Sequence, residues 1–318
     1  MTAAHTAPAR VAVLGGTGFI GRVLGARLLA QGVEVVSLAR KAPAVPAPGR
    51  FVAFDLSADS PADLTALLDR ERIDTVVNAA GGMWGLTDEQ MYQANVVLTE
   101  RLIEAVGAMA APARLVHLGT VHEYGMAPIG VSQRESDPAA PVMEYGKLKL
   151  AATEAVVRAI EAGRLKGVSL RLGNVVGAGQ PGHSLLGVMA AKLDDARRAG
   201  GTAQLSLQPL TAQRDFVDLT DTLDAVLLAA TARDLPPVIN VGTGAASSAR
   251  LLVELLIEES GVPAEITEVP APDGAGPETE WQQMDITVAR EQLGWEPRRS
   301  LREAVRDLWQ AQVSASQQ

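Results

Sequence analysis

The sequence contains no cysteine, which excludes disulfide bonds, cysteine-ligated metal sites and thiol chemistry. Aromatic residues make up only 3% of the 318 residues, although 47% are hydrophobic, so the core must consist mainly of alanine, valine and leucine. The net charge is −9 and no basic run occurs, which argues against nucleic acid as the main partner. No metal site is predicted.

Long apolar segments are also missing. No apolar run approaches the ~20 residues that a membrane span requires. The segment Met1–Arg10 is small and polar and lacks the apolar centre of a signal peptide. We therefore expect a cytoplasmic protein without a membrane partner. Its length suits one large α/β unit with a smaller lobe.

A glycine-rich turn near the start of the chain is the most informative motif. Val11–Leu14 predicts a buried strand and Ile20–Gln31 a helix. Gly15 and Gly18 lie between the two, and Gly21 lies at the start of the helix. In such a turn the first glycine permits the sharp bend, the second lets a pyrophosphate approach, and the third lets the helix pack closely. Because the helix N-terminus favours phosphates, the pattern predicts dinucleotide binding.

The end of the second predicted strand, Val33–Leu38, bears on the choice of dinucleotide. An acidic residue there would bind both ribose hydroxyls of NAD, whereas an arginine suits the 2′-phosphate of NADP. The acid is absent, and Arg40 and Lys41 follow the strand. We predict NADP with NAD as the alternative; the competing interpretation is that Arg40 and Lys41 are two solvated loop cations.

Several later positions are candidates for the same site. Asp55 either meets the adenine amino group or is a surface or helix-capping acid, and Ala79–Gly81 forms a small-residue turn where a cofactor fits against the backbone. Trp84 either lines a substrate pocket or covers a packed surface. Asn95, polar within an apolar helical stripe, either serves the site or links neighbouring strands by hydrogen bonds.

A tyrosine–lysine pair supplies the candidate chemistry. Tyr145 and Lys149 are four residues apart and therefore share one face of a predicted helix that runs to about residue 162. A nearby lysine is expected to lower the pKa of a tyrosine, and Thr120, at a predicted strand end, can hold a carbonyl or alcohol beside it. The arrangement suits proton transfer coupled to hydride transfer.

At this point the sequence resembles the extended short-chain dehydrogenase/reductases, which include nucleotide-sugar epimerases, dehydratases and ketoreductases. The similarity spans nearly the whole chain. The matching segments are Gly15–Gly21, Asn78–Ala80, Thr120–Gly125, Tyr145–Lys149, Arg171–Asn174, Arg214–Asp218, Asn240–Gly244 and Leu293–Pro297.

The resemblance implies a Rossmann-type, doubly wound parallel α/β sheet with a smaller C-terminal substrate-binding lobe. Residues 8–173, joined by 215–260, would form the dinucleotide-binding domain, and 174–214 with 261–313 the lobe. It implies Thr120, Tyr145 and Lys149 as catalytic residues. The predicted cofactor-binding residues are Gly15, Thr17, Gly18, Phe19, Ile20, Gly21, Arg40, Lys41, Asp55, Leu56, Ala79, Ala80, Gly81, Asn95, Tyr145, Lys149 and Leu172.

The substrate-binding residues expected from the pattern are Trp84, His122, Asn174, His183 and Arg214. By analogy with the family, Asn174 and Arg214 would bind a nucleotide diphosphate. Val121 and His122 stand where similar dehydratases carry an Asp-Glu pair, which argues against elimination of water. An arginine common in the family before Met284 is also absent, since that region contains Asp273–Gly276, so either the nucleotide contacts differ or the substrate is not a nucleotide sugar.

We therefore predict an NADPH-dependent ketoreductase that acts on a dTDP-linked 4-keto-6-deoxyhexose, with Tyr145 as the acid. The alternative is an NAD-dependent nucleotide-sugar epimerase, including a form in which His122 and His183 transfer protons; otherwise His122 only lines the pocket and His183 is a loop residue. A non-catalytic NADP-binding protein of the same fold is a third hypothesis. The family resemblance also implies a homodimer formed through Tyr92–Val106 and Tyr145–Ala162.

Overall fold

The computed structural model describes residues 8–270 and 281–317, which contain thirteen strands in three sheets. The strands are β1 (Arg10–Leu14), β2 (Glu34–Ala39), β3 (Arg50–Ala53), β4 (Thr75–Asn78), β5 (Arg114–Thr120), β6 (Lys166–Leu172), β7 (Asn174–Val176), β8 (Ala203–Leu207), β9 (Gln213–Asp218), β10 (Val238–Val241), β11 (Ala246–Ser248), β12 (Ala264–Glu268) and β13 (Trp281–Gln282).

The helices connect these strands. They are α1 (Phe19–Ala30), α2 (Pro61–Arg70), α3 (Asp88–Tyr92), α4 (Leu98–Gly107), α5 (Glu144–Glu161), α6 (Leu185–Ala199), α7 (Leu219–Thr231), α8 (Ala249–Ser260) and α9 (Leu301–Ala315). Two π-helical segments (Gln93–Val97 and Ala289–Leu293) and a 3₁₀ turn (Val121–Glu123) complete the regular structure of the described residues. None of these helices is long and apolar enough to cross a membrane.

The main sheet has seven strands in the order β10-β6-β5-β4-β1-β2-β3, and every neighbouring pair is parallel. The chain moves outward in one direction from β1 to β2 and β3, and in the other from β4 to β10. The strand order therefore reverses between β1 and β4, where sheets of this type bind ligands. The predicted doubly wound parallel fold is confirmed.

Both faces of the main sheet are buried, as a parallel sheet requires. Successive side chains of β1 point to opposite faces, and Val11 and Val13 join one core while Ala12 and Leu14 join another. Helices α1 and α7 cover the first face, and α2, α4 and α5 cover the second. This double burial explains why β1 is apolar at four successive positions.

The smaller lobe has its own core and differs from the predicted boundaries. Helices α6, α8 and α9 pack around β8 in this core, so α8 belongs with the lobe although residues 215–260 were predicted to return to the first domain. Conversely, Ala289, Leu293 and Trp295 pack against the main sheet. The packing therefore favours assigning α7 and β10 to the dinucleotide-binding domain, together with residues 289–295.

The region after β6 contains most of the elements that sequence periodicity did not predict. Strands β8, β9 and β12, and helices α6, α7 and α9, lie in regions where the alternation of strand and helix loosens. The predicted helix Tyr92–Val106 is interrupted by the π-helical turn at 93–97.

A buried carboxylate joins the C-terminal segment to the main domain. Asp221, in the first turn of α7, accepts hydrogen bonds from the backbone nitrogens of Arg298 at 2.9 Å and Arg299 at 2.8 Å, and its carbonyl accepts one from Trp295 Nε1 at 2.9 Å. Asp221 is only 2% exposed and the two hydrogen bonds that its carboxylate accepts are partly buried, so water is a poor substitute for this acceptor.

We predict that Asp221→Ala lowers the free energy of unfolding by about 1–3 kcal/mol, because two partly buried backbone donors lose their acceptor. Urea denaturation followed by circular dichroism measures the change. Glu254→Ala is the control, since this exposed residue pairs only with Arg250 on the same helix and should have little effect. Equal stability of Asp221→Ala and the wild type would contradict the argument.

Candidate active site

The glycine turn connects β1 to α1 and leaves no room for side chains. A Cβ atom on Gly15 would lie 2.6 Å from the carbonyl oxygen of Ala79, and one on Gly21 would lie 2.3 Å from that of Gly15. Gly15 also has a φ of +73°, which favours glycine. The close contact of the turn with the residues after β4 therefore depends on Gly15, and the packing of α1 against the turn depends on Gly21.

The N-terminus of α1 is suited to an anion. Its N-cap is Gly18, no side chain caps the helix, and its first turn contains no acidic residue. By contrast, side chains cap α2, α6, α7, α8 and α9. The free backbone N–H groups of α1 and its dipole are therefore available to a phosphate.

A cleft of about 960 Å³ lies over this turn and extends along the ends of β1, β2 and β4. Ten of the predicted cofactor residues line it: Gly15, Thr17, Gly18, Arg40, Lys41, Asp55, Leu56, Ala79, Ala80 and Gly81. Phe19, Ile20, Gly21, Asn95, Tyr145, Lys149 and Leu172 are not among its lining residues. The cleft thus combines the glycine turn that suits a dinucleotide with two cations that suit a 2′-phosphate.

The far end of the cleft combines both signs of charge. Arg40 and Lys41 are exposed, and Asp55 is half-buried and accepts hydrogen bonds from the backbone nitrogen and hydroxyl of Ser57 at 3.0 and 2.6 Å. These bonds, with a smaller contribution from Arg40, lower the pKa of Asp55 despite its partial burial. Asp55 therefore stays charged beside two cations.

Asn95 holds the wall of the cleft and is itself buried. Its side-chain nitrogen donates to the carbonyl oxygens of Gly82 and Met91, each at 2.8 Å. It therefore anchors the loop after β4, in place of the expected link between strands. That link is made by Asn78, whose side-chain nitrogen lies 3.1 Å from Nδ1 of the buried His117 on β5.

The three predicted catalytic residues come from two elements. Thr120 is the last residue of β5, and Tyr145 and Lys149 lie on the first two turns of α5. Gly146 permits this packing, because a Cβ there would lie 2.4 Å from the carbonyl oxygen of His122. Lys149 is 4% exposed, and its Nζ donates to the carbonyl oxygen of Leu118 at 2.6 Å.

The electrostatics of the pair differ from the sequence prediction. Burial, and then the negative charge of Glu123, raise the pKa of Tyr145 to about 12, so the expected lowering by Lys149 is absent in the free protein. Burial lowers the pKa of Lys149 to about 8, although Glu123 opposes this. The lysine lies against a backbone carbonyl and its charge is offset by Glu123, so Tyr145 is held as a neutral proton donor.

A buried ion pair lies behind Thr120. The Glu123 carboxylate is 0% exposed and accepts hydrogen bonds from the Thr120 backbone nitrogen at 2.9 Å, Thr153 Oγ1 at 3.0 Å and Arg171 Nε at 2.8 Å. Arg171, on β6, also lies over the ring of Tyr124 at 4.3 Å. The pair therefore connects β5, α5 and β6 directly beneath the candidate catalytic residues.

Sequence reasoning missed Glu123 as a structural residue of the site. A signal was present, because Thr120 and Glu123 form the S/T-x-x-E pattern of a capping box, which the structure realises around the 3₁₀ turn. What the pattern cannot show is the burial of the carboxylate, which depends on Arg171, 48 residues later in the chain.

Two close ring pairs involve predicted substrate residues. The ring centroid of His122 lies 6.2 Å from that of Tyr145, in an edge-to-face arrangement, and the rings of Trp84 and His183 are 6.0 Å apart. Trp84 is 61% exposed, which is compatible with a surface that a substrate covers.

The two predicted diphosphate contacts lie on neighbouring strands of the lobe side. Asn174, on β7, donates from Nδ2 to the carbonyl oxygen of Asp215 at 3.2 Å, and Arg214 lies on β9. The segment Asp273–Gly276, where an arginine of the family is missing, lies outside the described residues. Within the described residues, no group of three or more metal-binding side chains forms a metal site.

We predict that Glu123→Leu destabilises the protein by about 3–5 kcal/mol, because Arg171 would keep a buried charge without a partner. Arg171→Leu should be similarly costly, and the double variant should lose less than the sum of the two. Urea denaturation of the four proteins measures the coupling free energy. Additive losses would show that the pair does not act as a unit.

Comparisons with known proteins agree with this geometry. A sequence model of the NAD dependent epimerase/dehydratase family matches residues 11–242. The chain is 87% identical over 315 residues to a dTDP-6-deoxy-L-talose 4-dehydrogenase (NAD(P)(+)) of Kitasatospora kifunensis, with 99% of each chain covered. It is 30% identical to a UDP-glucose 4-epimerase of Streptomyces lividans, with 94% of each covered.

Solved structures give the same assignment. The UDP-glucose 4-epimerase of Thermus thermophilus in complex with NAD superposes with a TM-score of 0.82 at 26% identity, covering 96% of this chain and 99% of that one. The family predicted from the sequence is thus confirmed by motif, by relatives and by fold. The chain belongs to the NAD-dependent epimerase/dehydratase family.

Proposed function

We propose that the protein is an NAD(P)-dependent oxidoreductase that interconverts the C4 alcohol and the 4-ketone of a dTDP-linked 6-deoxyhexose. The observation that carries this proposal is the 87% identity, over 99% of both chains, to a dTDP-6-deoxy-L-talose 4-dehydrogenase. A 4-dehydrogenase and a 4-ketoreductase act on the same carbon in opposite directions. The arrangement of Thr120, Tyr145 and Lys149 supplies a chemical basis for the reaction.

The cofactor cleft fits a dinucleotide. The uncapped N-terminus of α1 would hold the pyrophosphate, and Gly15 and Gly18 would let it approach the backbone. Arg40 and Lys41, at the end of β2, would bind a 2′-phosphate. When bound, the nicotinamide supplies or accepts the hydride.

In the reductive direction, Tyr145 gives its phenolic proton to the oxygen of the 4-ketone as C4 becomes an alcohol carbon. The raised pKa of Tyr145 keeps this proton in place until it is needed. Thr120 Oγ1 donates a hydrogen bond that orients the same oxygen. Once the ligands are bound, Lys149, four residues along α5, would be the cation that stabilises the phenolate left behind, and in the oxidative direction each transfer is reversed.

The substrate would lie between the two lobes. Asn174 and Arg214 would contact its diphosphate, and Trp84, His122 and His183 would surround the sugar. The family relationship also supports a homodimer through the segment 92–106 and helix α5, which remains a prediction, as does a cytoplasmic location.

A nucleotide-sugar 4-epimerase is the second candidate. It is favoured by the 30% identity to a UDP-glucose 4-epimerase over nearly the whole chain. An epimerase returns the hydride to the same sugar and shows no net change in the cofactor. The two candidates therefore differ in whether NADPH is consumed in proportion to product.

We predict that the protein prefers NADPH to NADH and that Arg40→Ala weakens NADPH binding about 10- to 100-fold, because one or two charge-assisted hydrogen bonds are lost. NADH binding should change little. Fluorescence titration of each dinucleotide measures the dissociation constants, with Arg233→Ala as a control for an exposed arginine elsewhere. Preference for NADH in the wild type would favour the epimerase.

We predict that Tyr145→Phe lowers kcat by about 10²–10⁴-fold with dTDP-6-deoxy-L-talose and NADP⁺, because the group that exchanges the proton is lost. NADPH affinity should stay within a few-fold of the wild type. Absorbance at 340 nm measures turnover, and Tyr92→Phe, which removes the hydroxyl of a 42%-exposed tyrosine, is the control. Full activity of Tyr145→Phe would refute this assignment.

A further inference from the structure

A buried glutamine behind the candidate substrate site has an unusual set of contacts. Gln282, on β13, is 0% exposed, and its Nε2 lies 3.4 Å from Nδ1 of His122. Its other polar atom, Oε1, is buried and meets no hydrogen-bond partner among the described residues. A buried amide that leaves one acceptor unsatisfied weakens a fold, so its packing alone does not account for it.

The contact of Gln282 with His122 decides which nitrogen of the imidazole carries the proton. An amide N–H that donates to Nδ1 requires Nδ1 to be an acceptor, and the neutral ring then carries its proton on Nε2. Because an amide has no negative charge, it does not stabilise an imidazolium as a carboxylate would. Gln282 thus favours a neutral His122 that donates from Nε2 and disfavours a general acid–base histidine.

His122 is well placed to use such a donor. It follows Thr120 by two residues on the 3₁₀ turn, is half-buried, and lies edge-to-face with Tyr145. Gln282 in turn is fixed by the strand register, in which it is the β13 neighbour of Arg214 on β9. Strand β13 therefore connects the predicted diphosphate contact to the turn that carries the sugar-facing residues.

We propose that Gln282 is a positioning residue that holds His122 as the Nε2–H tautomer, so that His122 donates a hydrogen bond to an oxygen of the sugar beside the reacting carbon. The use of this donor for a sugar rests on the proposed function. The tautomer and its dependence on Gln282 are properties of the free protein and can be measured without substrate.

The key variant is Gln282→Leu, which removes the amide at similar volume. We expect its melting temperature to equal or exceed that of the wild type, because a buried unsatisfied acceptor disappears, while kcat/KM falls about tenfold. A purely structural residue would show the opposite pattern, with lower stability. NADPH affinity should not change, since Gln282 does not line the cofactor cleft.

The tautomer is read by long-range ¹H–¹⁵N NMR on protein labelled at histidine. The chain has four histidines, so the spectrum is simple, and a His122→Asn variant assigns the signal. We expect an Nε2–H signal for His122 in the wild type and a mixture of tautomers in Gln282→Leu. Gln282→Glu should place a proton on Nδ1, in the Nδ1–H tautomer or the imidazolium, because an ionised carboxylate can only accept a hydrogen bond.

The adjacent Gln283 is the matched control. Its Nε2 donates to Ser132 Oγ at 2.8 Å and to the Gly244 carbonyl oxygen at 2.9 Å, and not to His122. Gln283→Leu should therefore lower stability and leave the His122 tautomer unchanged.

The outcomes separate the two proposals. The inference is overturned if the wild type contains the Nδ1–H tautomer of His122, or if Gln282→Leu leaves the tautomer unchanged. Either result holds independently of the enzyme's activity. Full kcat/KM in Gln282→Leu, or a clear loss of its stability, also overturns it. If the wild type turns over no dTDP-6-deoxyhexose, the proposed function fails, and the tautomer shift alone then decides whether Gln282 positions His122.

Discussion

The ion pair of Glu123 and Arg171 is the constraint on which the geometry of this site depends. A carboxylate with no exposure is stable only when all its acceptor sites are used, and here the donors come from β5, α5 and β6. The same contacts set the distance between the end of β5, which carries Thr120, and the helix that carries Tyr145 and Lys149. Burying this pair costs desolvation free energy, and its contacts fix the arrangement of the catalytic groups.

The electrostatic consequence extends to the tyrosine itself. Burial is the larger cause of both pKa shifts, and the negative charge of Glu123 adds to the rise at Tyr145 and opposes the fall at Lys149. The shift at Tyr145 favours the neutral phenol, which is the protonation state that reduction of a ketone requires.

Packing at the glycine turn follows a different principle. There Gly15 approaches the backbone after β4, and Gly21 approaches the backbone of Gly15, so closely that only glycine fits at either position. The close approach leaves backbone N–H groups at the surface of the cleft, where a phosphate can reach them. The region of Glu123 and Arg171 therefore depends on buried charge, whereas the glycine turn depends on the absence of side chains.

Strong local signals allowed the sequence by itself to determine the sheet, the glycine turn, the Tyr145–Lys149 pair and the family. Apolar runs, the spacing of the glycines and the four-residue spacing of Tyr145 and Lys149 can be recognised in the sequence because they involve residues that are close along the chain. The loosely patterned region after β6, the burial of Glu123 and the contact of Gln282 with His122 were decided only by the tertiary structure. Each joins residues far apart in sequence, and burial and hydrogen-bond partners depend on packing that no local pattern records.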